Sequence, residues 1–199
     1  AELLSARATM RPLLGACLSA CLVLCGACTA LPPPEPATHL DQRSGVTLTV
    51  VDKPLVFARE RRDIAANVRD YITLVAAERD VAGKFTLALI AYRWSTIDER
   101  VNDESLTGNR KLVILADGRD IRPQPLAEMP TELQSDPRLL PPAVPKFTTI
   151  AYAIDAATLA YIAASEQLSA FYEDAEQPLS FALWSDQRDA LARFARDRP

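Results

Sequence analysis

Past residue 28 the chain has no cysteine, and in 199 residues it has a single histidine, His39. The folded part therefore has no internal disulfide and no cysteine-ligated zinc. It also lacks the imidazole that a Ser–His–Asp triad, a Cys–His dyad or a His-ligated metal requires. Six glycines in all leave little for a phosphate-cradling loop, and neither Ser-x-x-Lys nor G-x-S-x-G occurs. There is no basic excess: 22 Lys and Arg stand against 26 Asp and Glu, a net charge of −4. Neutralising nucleic-acid phosphates needs the opposite balance, so no nucleic-acid partner is expected. The apolar share of 49% and charged share of 24% are those of a globular chain.

All four cysteines, Cys17, Cys21, Cys25 and Cys28, crowd the N-terminus. Met10-Arg11 precedes an uncharged stretch from Pro12 to Ala27, the pattern of a secretory signal and short for a membrane span, which needs about 20 residues. Cys21-x₃-Cys25-x₂-Cys28 matches an iron–sulfur spacing, but its spacers are Leu, Val, Leu, Gly and Ala. A cluster loop is a polar, structured turn, so the match is set aside and no cofactor is expected. Gly26 and Ala27 before Cys28 resemble the lipobox of bacterial lipoproteins, with Cys25 standing where that motif carries Leu, Val or Ile. The resemblance implies cleavage before Cys28, a diacylglycerol on its thiol and an acylated amino end; the alternative is ordinary cleavage after Ala27 or Ala30. Thr29, being other than Asp, implies by the same resemblance the outer membrane. Pro32, Pro33, Pro34 and Pro36 then favour an extended spacer of about 3.1 Å per residue. The expected organisation is a signal peptide over 1–27, a lipidated cysteine and proline-rich stalk over 28–44, and one β-rich globular domain over 45–199.

Within the domain, Gly45–Val51 alternates as a half-buried strand. Asp70–Glu78 is a β-branched and aromatic run, and Lys84–Thr96 is apolar on both faces, as a central strand covered on both sides would be. Asp117-Gly118 between Lys111–Ala116 and Arg119–Arg122 predicts a hairpin with a type I′ turn. Pro123, Pro125, Pro130, Pro137, Pro141, Pro142 and Pro145 predict an edge strand followed by a long surface connection. Lys146–Asp155 reads as a strand, with Asp155 capping a helix that buries Leu159 and Ile162. "EQLSAFYE" and "PLSFALW" read as a hairpin. Ser185 or Asp186 opens a last helix facing Leu191 and Phe194 inward. The expected fold is mainly β (α+β): an antiparallel β-sandwich or a bent sheet of seven or eight strands with two short helices in the C-terminal third. With the lipobox, "PLVFARE", "RDYITL", "WSTID" and "FALWSD" resemble small lipoproteins of Gram-negative bacteria, a group with no established activity to lend.

Three stretches are candidate sites. "WSTIDERVNDES" sets Asp98, Glu99, Asp103 and Glu104 beside Trp94. Paired carboxylates near an aromatic suit a glycoside hydrolase, the spacing does not fit a calcium loop, and the plain interpretation is a solvated loop. Trp94 and Trp184 end strand-like runs; they are expected to close the β core, with a recognition patch for a protein or glycan as the alternative. "FARERRD" (Phe57–Asp63) is expected to be a solvated mixed-charge surface, with contact to anionic lipid as its alternative. The expected function is a lipid-anchored periplasmic protein that binds or scaffolds in the envelope, joined to the membrane through Cys28, with a possible binding surface at Trp94, Asp98, Glu99 and Trp184. The alternative is a carboxylate-dependent hydrolase of envelope glycans.

Overall fold

The computed structural model describes residues 36–97, 111–135, 147–173, 179–196 and 198. Its strands are β1 (Ala37–Asp41), β2 (Val46–Val50), β3 (Leu55–Glu60), β4 (Arg69–Val81), β5 (Lys84–Ser95), β6 (Lys111–Ala116), β7 (Arg119–Ile121), β8 (Gln124–Pro125), β9 (Phe147–Ala153), β10 (Leu168–Glu173) and β11 (Leu179–Ser185). Its helices are α1 (Thr131–Ser135), α2 (Ala156–Ala164) and α3 (Arg188–Arg196). Every strand pairing is antiparallel, and the strands form one sheet in the order β7-β6-β10-β11-β3-β4-β5-β9-β8. Of the two expected architectures, the bent sheet is the one observed: a curled half-barrel with three short helices, two of them in the C-terminal third.

The long strands β4 and β5 make the spine. Residues 72–77 and 88–93 are buried whichever face they point to, the pattern expected for the Lys84–Thr96 strand. One edge of β4 pairs with β5 along its length, from Asp70↔Ser95 to Val81↔Lys84. The other edge takes two strands in tandem, β3 over 69–74 and β2 over 77–80, with Val51 N–H donating to the Ala76 carbonyl at the break between them. β1 then flanks β2 and β11 flanks β3, so β1 and β11 lie end to end on one flank. β1 falls within the segment read as stalk. It brings His39 into the sheet opposite Leu48, so the folded part holds one imidazole, contrary to the expectation. β3 takes up much of the run read as a solvated surface.

Contacts across the sheet fix the sense of the curl. Tyr152 on β9 shares a hydrogen bond with the backbone of Leu112 on β6, six strands away in the sheet order. Flat strands spaced about 4.8 Å apart would hold them nearly 30 Å from each other. Arg93 on β5 likewise sits 5.2 Å from the ring of Tyr172 on β10. The face bearing Tyr152, Arg93, Phe57, Phe181, Ile114 and Tyr172 is therefore the concave one, and it holds much of the core. The outermost strands of the order, β7 and β8, follow one another in the chain, joined only by Arg122-Pro123. The link spans the opening of the half-barrel.

The 123–145 segment is not the bare connection expected: it contributes β8, beside β9, and α1, whose Leu133 is buried. Helices α2 and α3 pack on each other through Leu159, Ile162, Leu191 and Phe194. The Tyr161 hydroxyl donates to the Ala116 carbonyl, tying α2 to β6, and Arg193 reaches Asp52 at the β2–β3 break, tying α3 to it. Asp155 accepts the Thr158 N–H at 2.7 Å, the expected cap of α2.

Candidate functional site: an aromatic and arginine face

Two clusters flank the first half of β4, one on each face. On the concave face Asp70 is fully buried, and its Oδ2 accepts from Arg59 Nη2 at 2.9 Å and Arg61 Nη1 at 3.3 Å. The Arg59 guanidinium also lies 5.7 Å from the Phe181 ring centroid. Alternation along β3 explains this: Leu55, Phe57 and Arg59 share the inward side, facing Leu74, Ile72 and Asp70. "FARERRD" is therefore not simply a solvated run, because two of its arginines are spent on a buried carboxylate. Only Arg62 stays fully in water, and its bond to Glu60 holds that carboxyl below the usual range.

On the convex face the strand register aligns aromatic residues. Phe147, Trp94 and Tyr71 are cross-strand partners on β9, β5 and β4, and the next aligned positions are the small Ala58 and Ala182 on β3 and β11. Tyr71 and Trp94 stack with centroids 4.1 Å apart and planes 12° from parallel. The Trp94 Nε1–H donates to Thr73 Oγ1 at 3.1 Å, so the stack is fixed at a second point. Trp184 meets Tyr71 edge-on, at 6.3 Å and 82°, and Arg69 lies 5.0 Å from the Trp184 ring. Register shifts in β11 between Leu183 and Ser185. Trp184 lies at that shift, on the outward side that alternation from Phe181 gives it, and is 59% exposed. Phe147 is 48% exposed. The two tryptophans thus come together through Tyr71. Trp94 is half-buried, consistent with closing the core, whereas Trp184 is turned outward.

Tyr71, Arg69 and Phe147 escaped the sequence reading. Tyr71 and Phe147 sit in strands that the sequence shows, and Arg69 lies one residue before the Asp70–Glu78 run, but only the β9-β5-β4 register brings them together. Cys28, Asp98 and Glu99 lie outside the described residues.

Three clefts lie away from this face among the described residues. One, of about 430 Å³, lies where the β7–β8 link meets α2 and is lined by Arg119, Arg122, Asp155 and Tyr161 among others. Its charges are engaged: Asp155 by Thr158, Arg122 by Glu173 and Asp120, and Arg119 over the Tyr161 ring. The second, of about 470 Å³, is mostly apolar and lies beside Phe85 and Leu126. The third, of about 520 Å³, lies between the end of α2 and the start of α3, where Arg188 is held by Asp186 and by the Ser165 and Glu166 carbonyls. In the first, the Thr158 hydroxyl donates to Asp155 at 2.9 Å as part of the α2 cap. The aromatic face, made of the residue types that dominate binding hot spots, is the best-built candidate. No protein-family model matches the chain, and neither a curated protein nor a solved structure matches it.

Proposed function

We propose that the protein is a lipid-anchored envelope protein of the periplasm that acts by binding or scaffolding, with the face around Trp184 as its working surface. The lipid is carried by Cys28, and the membrane is the outer rather than the inner one. The observation that supports the binding role is the Trp94–Tyr71–Trp184–Arg69 constellation: a rigid stack, fixed by a hydrogen bond, holding an exposed indole. Tryptophan, tyrosine and arginine are the residues most enriched at binding hot spots, and here all three are held together at the surface. The anchor rests on the residues before Cys28.

Two measurements test this. Palmitate fed to cells should label the chain and not its Cys28→Ser form; an unlabelled wild type removes the anchor. In cells lacking the gene, Trp184→Ala should fail to restore the lost phenotype while keeping the wild-type melting temperature. Asp98→Asn combined with Glu99→Gln should restore it fully. The reverse pattern would transfer the function to the carboxylates and to a hydrolase.

A further inference from the structure

The aromatic face has a geometry that selects its occupant. A sugar chain binds aromatics by lying across open ring faces. Here Tyr71 and Trp94 spend a face on each other, and Trp184 sets one against Arg69. What remains outward is the exposed part of Trp184 and of Phe147, with Arg69 and Arg62 beside them and Glu60 bonded to both arginines. An amphipathic indole with a nearby guanidinium is the arrangement found where apolar and aqueous phases meet, because the ring fills the boundary while the charge stays wet.

The chain's point of entry into the sheet lies close to this face. Ala37, the first residue of β1, pairs with Val50, and Ser185, the last residue of β11, pairs with Val56. The two ends therefore converge on the Val51–Pro54 break, within about 20 Å of each other at strand rise. Cys28 is nine residues before Ala37, at most about 32 Å of chain. A lipid on Cys28 would thus keep the aromatic face within reach of the bilayer surface, at an effective concentration that lets a weak contact persist.

We infer that the Trp184 face, with Phe147, Arg69 and Arg62, rests on the phospholipid bilayer that holds the anchor, with the Trp184 indole at the headgroup–acyl boundary. This rests on the Cys28 anchor proposed above. The acyl chain and the face would then act as two membrane signals on one domain, and the orientation of the half-barrel on the membrane would be set rather than free.

The test uses the full chain as purified from the cells that express it, reconstituted in phosphatidylethanolamine–phosphatidylglycerol vesicles, with and without acyl-chain-brominated lipid. The chain has two tryptophans, so wild-type emission minus that of Trp184→Phe isolates Trp184. We expect brominated lipid to cut that difference at least twofold and vesicles to shield it from aqueous iodide, while Trp184→Phe itself changes little. A chain that floats with the vesicles but keeps Trp184 unquenched and open to iodide overturns the inference and leaves the anchor standing. If Trp184 then becomes shielded only on adding an envelope protein extract or soluble glycan fragments, the face belongs to that partner and the bilayer assignment is overturned. A chain that does not float, yet shows Trp184 quenching at millimolar vesicle lipid, removes the anchor and keeps the face. Loss of both flotation and quenching overturns both.

Discussion

Asp70 is surrounded by more of the fold than any other carboxylate described. It has no exposure, and the two guanidinium groups on its Oδ2 keep only 21% and 13% of their side-chain surface in water. Removing one partner of a buried ion pair leaves the other charge uncompensated, which costs about 3–5 kcal/mol. Partial exposure of Arg59 and Arg61 places Asp70→Ala toward the lower end, about 3 kcal/mol. Urea unfolding of the variant should show that loss as a lowered midpoint at unchanged slope; a loss under about 1 kcal/mol would mean that the arginines are already solvated. This pairing was hard to find in the sequence. Composition marks Arg59 and Arg61 as surface residues, and "RERR" looks like a charge run. The signal that was there is the alternation Leu55, Phe57, Arg59, which puts an arginine where a third apolar residue would stand. Trp184 shows the opposite limit: alternation from Phe181 already sets it on the outward side of β11, but nothing local says that Tyr71 and Arg69 stand beside it.

Elements whose ends are encoded by local chemistry were legible. Asp117-Gly118 takes φ of 47° and 80°, the double positive φ that a type I′ hairpin requires and that Asp-Gly tolerates. The β4–β5 hairpin uses the same turn at Ala82-Gly83, with φ of 54° and 82°, and alanine hides it, because an L-residue with a Cβ resists the left-handed region. Ala82→Gly should relieve that strain and stabilise the protein by about 0.5–1 kcal/mol, measured as a raised thermal midpoint. Nothing blocks the tip, since a Cβ added at the neighbouring Gly83 would meet no atom within 4 Å. The Asp155 cap was legible for the same reason as Asp117-Gly118. Its backbone and side-chain bonds from Thr158 lower its carboxyl below the ordinary 3.8. A lowered folded value gives stability that is present above the unfolded value and lost as pH falls through the folded one. Asp155→Ala should therefore cost about 1 kcal/mol at pH 7, and the gap to wild type should close as unfolding is followed below pH 3.8. A gap that stays constant down to pH 2 would show that the cap acts without its charge.

At the scale of the whole molecule the sequence is least informative, because strand order is decided by long-range pairing. Nothing local says that β3 and β2 share one edge of β4, or that "EQLSAFYE" pairs with both β11 and β6. A sandwich and a bent sheet bury the same alternating residues, and what separates them is continuity: this sheet never breaks into two. Two features could hold it curled. The first is side-chain contact across the concave face, with Tyr152 to Leu112 and Arg93 over Tyr172. The second is the Arg122-Pro123 link between the terminal strands β7 and β8. A flexible link loses closure entropy only as the logarithm of its length. If the packed face holds the curl, ten Gly/Ser residues inserted between Arg122 and Pro123 should cost about 1.5 kcal/mol, the closure term alone for a link growing from two residues to twelve. That site keeps Arg122 on its own side of the insertion, with Glu173 as its partner. Urea unfolding should then remain a single transition with an unchanged slope, because the surface exposed on unfolding is the same. A cost above about 4 kcal/mol, or a separate early transition, would show that the two-residue link, rather than the packing of Tyr152, Tyr172 and Arg93, is what closes the half-barrel.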